Sequence, residues 1–82
     1  MNTFIFTYGS LASYPFQGGW TVVQAPDKNK AVAAFRVFHP DHVPGFINCA
    51  DVYTLEQFQE TDMFRANNRG ARCHETIFLN KD

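Results

Sequence analysis

Phe4, Phe6 and Tyr8 alternate with Thr3, Ile5 and Thr7 at the start of the chain. A period of two places one set on each face of a pleated strand, so Thr3 to Tyr8 is predicted as a strand that Gly9 and Ser10 end. Trp20 to Ala25 follows Gly18-Gly19 and is rich in aromatic and β-branched residues, which predicts a second strand. The segment between them holds Pro15 and bulky apolar side chains, so the pair reads as an antiparallel hairpin with a long loop.

After Pro26-Asp27 the period changes. Ala31, Ala34, Phe35 and Phe38 recur at i, i+3, i+4 and i+7, the spacing of one helical stripe, with Asp27 placed to accept bonds from the first free amides. This stripe is expected to lie on the sheet. Pro40 stops the helix, since proline lacks the amide proton and clashes with the preceding turn. Beyond Pro44-Gly45, the mostly apolar run Phe46 to Tyr53 suggests a third strand. Thr54-Leu55-Glu56-Gln57 is a capping-box pattern flanked by Tyr53 and Phe58 in the positions of a hydrophobic staple, so a short helix starts at Leu55 and fades near Asp62. Phe64 to Arg72 reads as a polar loop, and Glu75 to Leu79 as an edge strand. The order is β-β-α-β-α-β. It predicts a single α+β domain over residues 1–82, with two helices on one face of a mostly antiparallel sheet of three to four strands.

Composition narrows the function. A chain of 82 residues buries only about 60 to 65% of its unfolded surface, which leaves no material for a second core. Nine Phe, three Tyr and one Trp supply the bulk for one well-packed core. Seven basic against eight acidic side chains give a net charge of −1, which offers polyanionic backbones no general attraction, so nucleic acid is a poor partner. No apolar run approaches the roughly 20 residues that span a bilayer, and Met1 to Tyr8 lacks the basic start and long apolar stretch of a signal peptide. The expectation is a cytoplasmic protein with free thiols.

Candidate chemistry is confined to His39, His42, Cys49, Cys73 and His74. Zinc takes Cys and His ligands, and His39, His42, Cys49 and Cys73 form a conceivable set. Two features weigh against it: no CxxC knuckle is present, and adjacent strand residues such as Cys73 and His74 point to opposite faces. The plainer reading puts Cys49 and Cys73 in the core, His39 at the helix end and His42 in solvent. A thiol nucleophile would need Cys49 or Cys73 beside His39 or His42, with Asp41 orienting the base, and nothing local marks either thiol as activated. Gly9-Ser10 and Gly18-Gly19 are turns and not phosphate loops. Phe38-His39-Pro40-Asp41 resembles the His-Pro-Asp turn of J-domain co-chaperones, but a β hairpin precedes this helix and no basic helix follows it.

The remaining features favour surface recognition. Arg65, Arg69 and Arg72 with Asn67 and Asn68 gather positive charge and hydrogen-bond donors in one loop, opposed by Glu56, Glu60 and Asp62 on the preceding helix. Tyr14, Phe16 and Trp20 are side chains of the kind that dominate interface energetics, and equally of the kind that fill a core. The opening FIFTYG strand, the following GGWTVVQAPD, the alanine-rich helix and the terminal RGARCHETI resemble small proteins carried by phages and other mobile elements, anti-CRISPR proteins among them. That resemblance implies a non-enzymatic protein that binds another protein, a host defence nuclease complex being the partner type, with no cofactor and with homodimer formation open. The contact residues expected are Arg65, Arg69, Arg72, Asn67, Asn68, Tyr14, Phe16 and Trp20. The alternative is a small zinc-binding domain built on the His/Cys set.

Overall fold

A computed structural model describes residues 1–9, 14–16, 18–62 and 73–79, with side chains from residue 75 onward in the last segment. Strands β1 (Asn2–Thr7) and β2 (Trp20–Ala25) form the expected hairpin, in register from Asn2 opposite Ala25 to Thr7 opposite Trp20. The Gly18 amide donates to the Gly9 carbonyl across its base, and both glycines have positive φ. Helix α1 (Lys28–Phe38) begins where Asp27 accepts a bond from the Lys30 amide at 2.8 Å, and His39 caps its other end. Strand β3 (Asp51–Thr54) leads directly into α2 (Leu55–Gln59), and β4 (Cys73–Phe78) completes the sheet. No helix of the described residues is long and apolar enough to cross a membrane.

The sheet order is β3-β1-β2-β4. β1 pairs antiparallel with both β2 and β3, while β4 runs parallel to β2. The sheet is therefore mixed. β4 returns to it only after α2 and a long connection, the kind of crossover that a parallel neighbour requires.

Three further sequence expectations change. The third strand is Asp51–Thr54 and not Phe46 to Tyr53, because its pairing with β1 starts where β1 ends, Thr7 opposite Asp51, and stops at Thr54, which caps α2. Val43 and Phe46 instead bridge each other across Pro44 and Gly45, the latter at φ +87°. The fourth strand starts earlier than Glu75, at Cys73. Phe38, expected on the core stripe, is 59% exposed. Phe35 already stands over Phe6 and Tyr8 at the end of β1, and one turn later no sheet remains beneath the helix.

The helices also cover opposite faces of the sheet. Phe4 and Phe6 share a face with their partners Val23 and Thr21 and with Ile77, and α1 roofs that face with Ala31, Ala34 and Phe35. The Phe35 ring stacks on Phe6 at 4.5 Å. Ile5, its partner Tyr53, and Trp20 point the other way, where Phe58 of α2 packs against Trp20 at 4.8 Å and Tyr53 at 6.2 Å. The cause is local. The capping box, with Thr54 and Gln57 bonded reciprocally, fixes the helix start, and the staple draws Phe58 to the side on which Tyr53 lies.

This topology gives the molecule a loop end. The connection leaving β1 and those entering β2, β3 and β4 all meet where Thr7, Trp20, Asp51 and Cys73 lie side by side.

Candidate functional site

A buried polar chain runs beneath the loop end. The Tyr8 hydroxyl bonds to the Thr21 hydroxyl, Thr21 donates to Glu75 Oε1 at 3.1 Å, and His39 Nε2 pairs with the same carboxylate oxygen. Four elements contribute, because Thr21 and Glu75 are register partners across β2 and β4, Tyr8 directly follows β1, and His39 caps α1. Both Tyr8 and Thr21 are fully buried, so each hydroxyl depends on this protein chain and not on water. Phe35 and Phe16 flank the imidazole at 5.1 and 5.9 Å. The arrangement engages the His39 and Glu75 side chains with each other and ties α1 to the edge strand β4.

Beside it lies a groove of about 300 Å³. Its walls are Val43, Phe46, Ile47 and Cys49, with Tyr14, His42 and Asn48 adding polar groups. The bridged Val43–Phe46 turn forms one side, and the Arg36–Asp41 ion pair at 3.0 Å draws the chain back after α1. Val37, Phe38, Val43 and Phe46 are 77, 59, 55 and 70% exposed. A single exposed apolar side chain is ordinary; four bulky ones within residues 37–46 are not.

The residues expected at a partner surface separate. Tyr14 lines the groove. Phe16 and Trp20 are half-buried and spend their rings on packing, Phe16 edge-on to Tyr8 at 5.4 Å and Trp20 against Phe58. Arg65, Asn67, Asn68, Arg69 and Arg72 lie outside the described residues. The expected zinc set is not gathered as a unit: His39 is engaged by Glu75, while His42 and Cys49 share the groove. The Cys73 and His74 side chains lie outside the described residues. Among the described residues no three metal-ligating side chains converge. Cys49 is a free thiol in the core cluster, and burial, aided by the Asp51 charge, pushes it up to about 12 against the nearby Arg36 charge. At neutral pH it is a protonated, unreactive group, as its reading as a core residue requires.

Glu75 and Asn48, and the exposure of Val37, Phe38, Val43 and Phe46, were not legible as site features in the sequence. Only Glu75 left a trace, as one charged residue within an otherwise strand-like tail. Compared with known proteins, the chain matches no family model, no curated protein and no solved structure.

Proposed function

We propose that this chain is a non-enzymatic binding protein that docks one partner protein at the loop end of its sheet. The observation that carries this reading is the exposure of Val37, Phe38, Val43 and Phe46 within ten residues of chain. Covering these side chains removes apolar area from water, which is the main driving force of protein association. The nearby titratable groups support binding over catalysis, because His39 and Glu75 are engaged with each other and the Cys49 thiol stays protonated. The resemblance to small phage-borne proteins names the partner type, a bacterial defence nuclease complex held one-to-one and thereby inhibited. Tyr14 at the groove and the Arg65 to Arg72 segment extend the contact surface in this reading.

The test uses the wild-type chain and a Phe38→Ser/Phe46→Ser variant, whose exposed positions leave the core intact. In cells with an active nuclease defence, the wild type should restore phage plating and co-purify with the nuclease complex at equal stoichiometry. The variant should do neither while melting at the wild-type temperature. Equal protection and equal capture by both chains would refute the reading.

A further inference from the structure

Asn48 is out of place in an apolar wall. It is only 7% exposed, yet its carboxamide has no hydrogen-bond partner among the described residues. No fully buried side-chain nitrogen or oxygen of the described residues is left unsatisfied, so the Asn48 carboxamide must keep a small opening to solvent. Asn48 lines the groove, and the groove provides that opening. A carboxamide that reaches solvent only through the groove can exchange that contact for the hydrogen bonds of a ligand entering there.

The carboxamide presents one acceptor oxygen and a donor NH2, the same pair that a peptide group offers in reverse. Around it stand Val43, Phe46, Ile47 and Cys49, with His42 as a nitrogen base, and among the described residues no carboxylate lines the groove. Such walls accept an uncharged apolar side chain. A volume of about 300 Å³ is at the small end for ligand clefts, enough for one bulky side chain and its flanking backbone but not for a folded element.

We propose that the groove reads an extended peptide segment of the partner, taking one apolar side chain between Val43 and Phe46 while the backbone amide of that residue pairs with the Asn48 carboxamide. The inference rests on the protein-binding reading and assigns the chemistry of its central contact. Tyr14, at the groove wall, is positioned to cover the bound side chain.

The test is an amide-resolved NMR titration with N-acetyl-phenylalanine-N-methylamide, which carries an apolar ring between two peptide groups. Benzyl alcohol (the ring without the amides) and adenosine (an amide-like base edge) serve as comparison probes. Saturable shifts should appear at the Asn48 side chain, Tyr14 and Phe46 with the blocked phenylalanine. Asn48→Leu, of similar branched shape, should weaken that binding about tenfold or more, the loss of one hydrogen bond to a buried group, and leave the melting temperature equal or higher. Should Asn48→Leu fail to fold, Asn48→Ser makes the same test, and Phe46→Ser removes one wall at an exposed position. The proposal is overturned if the blocked phenylalanine produces no saturable shift, if the position-48 variants bind it as the wild type does, or if benzyl alcohol or adenosine binds as well. In any of those cases, continued capture of the nuclease complex by wild-type chain keeps the protein-binding reading. Loss of capture alone refutes that reading instead.

Discussion

Removing the middle hydroxyl of the buried polar chain should be costly out of proportion to its size. Thr21→Val keeps the shape of a fully buried side chain but deletes both the acceptor for Tyr8 and the donor to Glu75. A buried polar group deprived of its partner loses about 1 to 3 kcal/mol. In a domain of this size each kcal/mol lowers Tm by roughly 4 to 8 °C, so the fall should be roughly 4 to 24 °C. Tyr8→Phe removes only one end, leaving Thr21 still bonded to Glu75, and should cost about 0.5 to 1.5 kcal/mol. Once Tyr8 carries no hydroxyl, Thr21→Val strands one group fewer, so the double variant should be more stable than the sum of the singles. The expected coupling is about 0.5 to 3 kcal/mol, the range for residues sharing one network. Urea unfolding followed by the fluorescence of Trp20, the single tryptophan, measures all three variants against wild type. Additivity to within about 0.5 kcal/mol would show that the two hydroxyls act independently and would refute the chain.

Phe35→Ala, which removes the fully buried ring stacked on Phe6, should cost about 3 to 5 kcal/mol and leave the chain near its unfolding midpoint by the same assay. Cys49 should resist iodoacetamide at pH 8 in the folded protein and react promptly after denaturation. Its folded value, raised to about 12, lies above the roughly 8.5 of an unfolded thiol, so its contribution to stability is full below about pH 8.5 and lost as pH climbs toward 12. Wild type should therefore lose stability faster than Cys49→Ala across that window, and parallel pH profiles would contradict the burial argument. Gly45→Ala meets open space, but at φ +87° the methyl strains the backbone by about 1 to 2 kcal/mol; it should disturb the Val43–Phe46 bridge, weaken the blocked-phenylalanine probe and lower Tm by roughly 4 to 16 °C. Replacing Arg65, Arg69 and Arg72 together by Glu should abolish partner capture at unchanged Tm, and retained capture would remove that segment from the contact surface.

Much of the fold was legible because it is local. The alternation Phe4, Phe6, Tyr8 and the Gly18-Gly19 boundary announce the hairpin, Asp27 and Pro40 bracket α1, and Thr54 with Gln57 starts α2 at the residue where it begins. What the sequence concealed depends on partners distant along the chain. Whether β4 joins parallel to β2 is set by sheet closure and not by any period within Cys73–Phe78. The length of β3 is limited by where β1 stops, and Phe38 loses its cover because the sheet ends beneath Phe35. The site follows the same rule. Glu75 meets His39 across 36 positions, a contact that needs both the β2–β4 register and the crossing of α1, and neither is written in spacing. Exposed Val43 and Phe46 read as ordinary strand residues until the Pro44-Gly45 turn folds them against each other. Aromatic type alone does not separate core from surface: Phe16 and Trp20 are half-buried against Tyr8 and Phe58, while Phe38 and Phe46 face solvent.

The account stands on recognition at the loop end of the sheet, and amide hydrogen exchange of the chain bound to its nuclease partner measures that directly. Protection gained on binding should concentrate in residues 37–49 and spare the start of β1, at the far end of the strands, and α2, which covers the opposite face of the sheet from α1. Protection confined to residues 55–59 or to the far ends of the strands, with residues 37–49 exchanging as in the free chain, would contradict it.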